Sequence, residues 1–73
     1  MFDARKFLEV EFSNAPNVRV LLTSYGVKAP SLAAVEKWFQ RGRISGEYLP
    51  LLLCVLEIEK GEPIRLARYM QGA

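Results

Sequence analysis

Histidine is absent from this 73-residue chain, and cysteine occurs once, at Cys54. Without histidine there is no imidazole acid–base pair and no metal cluster of the histidine type. A single cysteine excludes an internal disulfide. Cys54 lies inside Leu51-Leu52-Leu53-Cys54-Val55-Leu56, so it is expected as a small buried hydrophobe, and a reducing, cytosolic compartment fits this usage. The five glycines are dispersed as punctuation, with no cluster that could cradle a phosphate. Glu57 and Glu59 are two apart, on nearly opposite sides of a helix, and cannot act as a catalytic carboxylate pair. The longest apolar run, after Tyr48, is far short of the ~20 residues that span a bilayer, and the N-terminus shows no signal-peptide core. These absences lead us to expect no enzyme, no cofactor, no metal, no small-molecule ligand and no membrane partner.

Hydrophobic residues make up 51% of the chain, which argues for a compact fold and against disorder. Residues 1–73 are expected to form a single domain near the size at which one core only just suffices. The net charge of +2 is unevenly distributed. Residues 17–46 hold Arg19, Lys28, Lys37, Arg41 and Arg43 against Glu36 alone, a local charge of +4. The flanking segments, 1–16 and 47–73, each carry −1. A local positive excess of this kind is what a phosphate-binding surface requires.

The apolar spacing predicts five helices and an all-α fold. Residues 2–12 place Ala4, Phe7, Leu8 and Phe12 at helical intervals. Asn14 and Pro16 read as the cap and first turn of a second helix, which runs to about Tyr25 and buries Val18, Leu21 and Leu22. Gly26 suits the turn that follows. A third helix begins near Ser31, with Leu32, Val35, Trp38 and Phe39 expected toward the core, and stops at Gly42. A fourth, regular from about Leu49, ends at Gly61. Pro63 is expected to open a fifth, with Ile64, Ala67 and Met70 on one side, and Gln71-Gly72-Ala73 to fray. The fourth helix is apolar nearly all round. Leu51, Val55 and Ile58, with Ile64 and Met70, are therefore expected to form a homodimer interface.

The second and third helices, joined through Val27-Lys28-Ala29, read as a helix-turn-helix at about 17–40. The run Gly26-Val27, Ser31-Leu32-Ala33-Ala34-Val35, Lys37-Trp38 and Arg41-Gly42-Arg43-Ile44 resembles phage repressor and Cro-type regulators with the λ-repressor-like fold. The resemblance implies a five-helix DNA-binding domain acting as a transcription regulator, most simply a Cro-like repressor. Its partner would be double-stranded DNA in a bacterial cytoplasm, on the nucleoid or on phage DNA. It also implies base contacts from Lys28, Ala29, Pro30, Ser31 and Ala34. Phosphate contacts are expected from Asn17, Arg19, Lys37, Arg41 and Arg43. No Gln, Asn or Arg on the first turn of the third helix could read a base in bidentate fashion, so shape and phosphate contacts are expected to supply much of the recognition. The competing reading is a protein-interaction module, a phage-type inhibitor or adaptor acting through the apolar surface of the fourth and fifth helices.

Overall fold

Four α-helices and a short 3-10 helix form the chain in a computed structural model that describes residues 1–71. They are α1 (Ala4–Phe12), α2 (Ala15–Ser24), α3 (Leu32–Arg41), α4 (Tyr48–Lys60) and the 3-10 helix Leu66–Tyr69. Residues 72 and 73 of the expected domain lie outside the described residues, and so does the fraying expected there.

Short polar side chains start the first three helices. Asp3 Oδ1 accepts from the Lys6 amide at 3.0 Å, Asn14 Oδ1 from the Asn17 amide at 3.0 Å, and Ser31 Oγ from the Ala34 amide at 3.1 Å. Each satisfies a donor that the first helical turn leaves unpaired. Pro50 falls in the first turn of α4, where no amide hydrogen is needed, and the helix is regular from Tyr48. At the end of α3, Gly42 takes φ +68° and donates to the Trp38 carbonyl at 2.9 Å. A side chain would be strained in that left-handed conformation.

The core gathers one face from each helix: Phe7, Leu8 and Phe12; Val18 and Leu22; Val35 and Trp38; Leu52, Val55 and Leu56. Tyr69 closes it from the 3-10 helix. Phe7 is the hub, with its ring 5.6 Å from Phe2, 6.2 Å from Phe12 and 5.5 Å from Tyr69. The radius of gyration, 11.6 Å, is close to the roughly 11 Å of a folded chain this long.

Six expectations need correction. The first helix starts at Ala4, because Phe2 forms an antiparallel bridge with Met70. Among the described residues there is no fifth α-helix, and Leu66–Tyr69 form a 3-10 helix. The Asp3 amide donates to the Tyr69 carbonyl at 2.5 Å and the Gln71 amide to the Met1 carbonyl at 2.6 Å, which requires an extended chain on both sides. Tyr69 therefore enters the core while Met70 is half exposed, and Gln71 is tied down, its Nε2 donating to Asp3 Oδ2 at 2.8 Å. Leu32 stands at the outer end of α3 and is 41% exposed. Cys54 is exposed. Val55, expected between protomers, is buried in the chain's own core, and Ile64 packs against that core as well. Leu51, Cys54 and Ile58 form the outer stripe of α4 instead.

One polar cluster fastens the C-terminal segment to α1. The Glu11 side chain, 3% exposed, accepts from Lys60 Nζ on one oxygen and from the Tyr69 hydroxyl on the other. Burial pushes the Glu11 pKa up, but the hydrogen bonds from Lys60 and Tyr69 outweigh it and hold the carboxyl below its usual range. Burial and the same carboxylate push Tyr69 up to about 12. The folded state therefore binds the Glu11 proton less readily than the unfolded one, so this contribution is complete above the ordinary glutamate pKa and fades as pH falls through the lowered value. Glu11→Gln is expected to cost about 1–3 kcal/mol at neutral pH and to flatten the loss of stability in acid. Urea titrations at pH 3–7 measure both effects, and an acid limb unchanged in the variant would contradict the assignment.

Candidate nucleic-acid interface

α3 lies across both α1 and α2, and its position is fixed from three sides. Arg5 on α1 holds its C-terminal end, with Nε donating to the Phe39 carbonyl at 2.9 Å and Nη2 to the Gln40 carbonyl at 2.5 Å. A cation there also complements the negative end of the helix dipole. Trp38 anchors the loop that follows, its Nε1 donating to Ser45 Oγ at 3.0 Å and its ring 5.4 Å from that of Tyr48. The Tyr48 hydroxyl in turn donates to the Lys28 carbonyl at 3.3 Å, tying the segment before α3 to the segment after it.

With Val35 and Trp38 buried, the outward ridge of α3 follows from helical geometry: Ala33, Glu36, Lys37 and Gln40 are exposed. On one flank, Lys37, Arg41 and Arg43 line a shallow cleft of about 440 Å³ together with Ala34, Ile44 and Ser45. Lys28, Lys37, Arg41 and Arg43 are all exposed. Among the described residues none of them makes an ion pair, in contrast to Lys60. Four cations thus face solvent around one helix, next to a ridge of small and polar side chains.

The expected contact residues divide into three groups. Lys28, Ser31, Lys37, Arg41 and Arg43 are exposed around α3. Ala29, Pro30 and Ala34 are half-buried, and Ala29 packs on the core. Asn17 and Arg19 each direct a donor to the chain's own backbone: Asn17 Nδ2 to the Phe12 carbonyl at 2.7 Å, and Arg19 Nε to the Pro30 carbonyl at 2.8 Å. Arg19 thereby braces the connection between α2 and α3, which spans residues 25–31 and is longer than Val27-Lys28-Ala29 alone. The Ser31 hydroxyl is engaged as the helix cap, so its removal would cost helix stability of about 1 kcal/mol as well as any contact.

Ala33, Glu36 and Gln40 were not among the expected contacts, yet they share the ridge with Lys37. Their spacing of three and four residues from one another is the signal that identifies them once the phase of the helix is set by Val35 and Trp38. Gln40 carries an amide able to bond adenine in bidentate fashion, and Glu36 could accept from cytosine N4. No protein-family model, curated protein or solved structure matches the chain.

Proposed function

We propose that this chain binds double-stranded DNA and regulates transcription, with α2 and α3 acting as a helix-turn-helix and α3 lying in the major groove. The observation that supports this most is the cationic flank of α3, where Lys37, Arg41 and Arg43 are exposed without acidic partners among the described residues. Phosphates would meet these three, while base edges would meet Lys28 and the ridge residues Ala33, Glu36 and Gln40. In this reading the chain is a Cro-like repressor. Two copies would occupy a palindromic operator, one recognition helix per half-site, and exclude polymerase by occupancy. Leu51, Ile58 and Met70, each exposed, are the side chains available for pairing two copies.

Selection of binding sites from random duplex DNA tests this reading. The wild type should enrich a motif of two inverted half-sites about one helical turn apart. Lys28→Ala should relax one or two base positions per half-site, a loss of about 1–3 kcal/mol for a good contact. Failure to enrich any duplex would contradict the proposal.

A second reading draws on the outer stripe of α4, where Leu51 is 37% and Ile58 60% exposed beside Cys54. An inhibitor or adaptor would present this stripe to another protein, whereas the regulator would use it for self-pairing.

A further inference from the structure

α4 begins at Tyr48, against the ring of Trp38, and reaches Lys60 about 18 Å further on, at 1.5 Å per residue. A cleft of about 500 Å³ opens at that far end, where Lys60, Glu11 and Glu62 meet Pro63, Ile64, Arg65 and Arg68 of the C-terminal segment. Lys60 and Glu11 satisfy each other, so the charges left open are the two arginines against Glu62 alone. Arg65 and Arg68 are both exposed, and among the described residues neither makes an ion pair. The Arg68 amide donates to the Arg65 carbonyl at 3.1 Å. Side chains three apart in such a 3-10 turn eclipse one another, which sets both guanidinium groups on the same cleft. The Arg68 guanidinium carbon lies 5.9 Å from the centre of the Tyr69 ring. The turn itself is fixed, because Tyr69 is buried in the core and its carbonyl accepts from the Asp3 amide. Two like charges on one fixed turn repel each other, and an anion placed between them relieves the repulsion.

We infer that this cleft docks a short acidic segment of a partner protein, with carboxylates on Arg65 and Arg68 and an aliphatic side chain on Pro63 and Ile64. The inference goes beyond the DNA-binding reading and does not rest on it. Charge and shape both argue for this occupant. A guanidinium presents its donors as a planar fork, which matches a carboxylate in bidentate fashion. Pro63 is exposed and Ile64 half-buried, so the cleft offers an apolar wall beside the cations. A duplex fits less well. Glu57, Glu59 and Glu62 stand exposed on the last turn of α4 and just beyond it, and would repel continuous rows of phosphates. A short segment places its few carboxylates only where the arginines are. The length of α4 separates the cleft from the loop that carries Arg43, so the segment and a duplex on α3 would not compete for the same cations.

The test follows backbone amide chemical shifts at low salt while a short capped peptide of alternating aspartate and leucine is added to the protein. The amides of residues 60–69 should shift and saturate with a Kd of about 1 mM or tighter. The same peptide with asparagine for aspartate should bind about tenfold more weakly or worse. Arg65→Gln and Arg68→Gln, both at exposed positions and checked for a wild-type melt, should each weaken the aspartate peptide by about fivefold. Glu62→Gln should strengthen it, because the competing acid is gone. No saturable shift, or equal binding of the two peptides, overturns the inference. Undiminished binding in both arginine variants overturns the assignment to these residues. A duplex that shifts the same amides, and loses the effect in the arginine variants, assigns the cleft to phosphates and overturns the protein partner. A lower mass for those variants than for the wild type in equilibrium ultracentrifugation assigns it to a second copy of the chain. Peptide binding by a protein that binds no duplex would leave the inference standing while the DNA-binding reading falls.

Discussion

Val55→Glu is expected to unfold this protein, whereas Ile58→Glu should leave it folded. The two positions are one helical turn apart on α4, yet Val55 is 4% exposed and Ile58 60%. A carboxylate at Val55 would sit among Leu52, Leu56 and the rest of the core with no cation to pair with. An unpaired buried charge costs on the order of 3–5 kcal/mol. The whole stability of a chain this long is roughly 4–11 kcal/mol. The variant should therefore lose its cooperative thermal transition, or melt tens of degrees lower. At Ile58 the same carboxylate stays in water and should change stability by less than about 0.5 kcal/mol. Any pairing between copies through the α4 stripe should then fail in Ile58→Glu alone, as a lower mass in equilibrium ultracentrifugation. A cooperative, wild-type-like melt for Val55→Glu would mean that Val55 is not part of the core.

This contrast also shows where the sequence is informative and where it is not. Helix ends were readable wherever one residue does the work locally: Asn14 with Pro16, Ser31, Gly42 and Gly61 each stop or start a helix by their own backbone chemistry. The inward face of α4 was not. A helix apolar nearly all round has no single phase, and sorting Val55 inward and Ile58 outward depends on where α2 lies against it. The C-terminal segment departs from its local pattern for a different reason. Pro63 and the spacing of Ile64, Ala67 and Met70 favour a helix locally, but pairing of residues 1–3 with 69–71 prevails. It brings Tyr69 onto Phe7 and Glu11. Such a long-range contact leaves no local pattern. At the candidate site the cations were legible from charge alone. The internal bonds of Asn17 and Arg19, and the exposure of Ala33, Glu36 and Gln40, became legible only with the helices packed.

The cationic flank of α3 should carry most of the affinity for a duplex. Lys37, Arg41 and Arg43 share one cleft and have no acidic partner among the described residues, so replacing all three with alanine should remove charge from solvent without disturbing the core. Each phosphate contact releases condensed counterions from the duplex, and log K should fall with log salt by about 0.9 per contact. The direct measurement is a fluorescence-anisotropy titration of a labelled duplex at several salt concentrations between 50 and 200 mM, with the wild type and the triple alanine variant side by side. The wild type should bind with a steep salt slope. The folded variant should lose about 0.9 from that slope for each phosphate contact removed, and its affinity should fall on every duplex alike. A wild type that binds no duplex at 50 mM salt, or a triple variant with unchanged slope and affinity, would contradict the account.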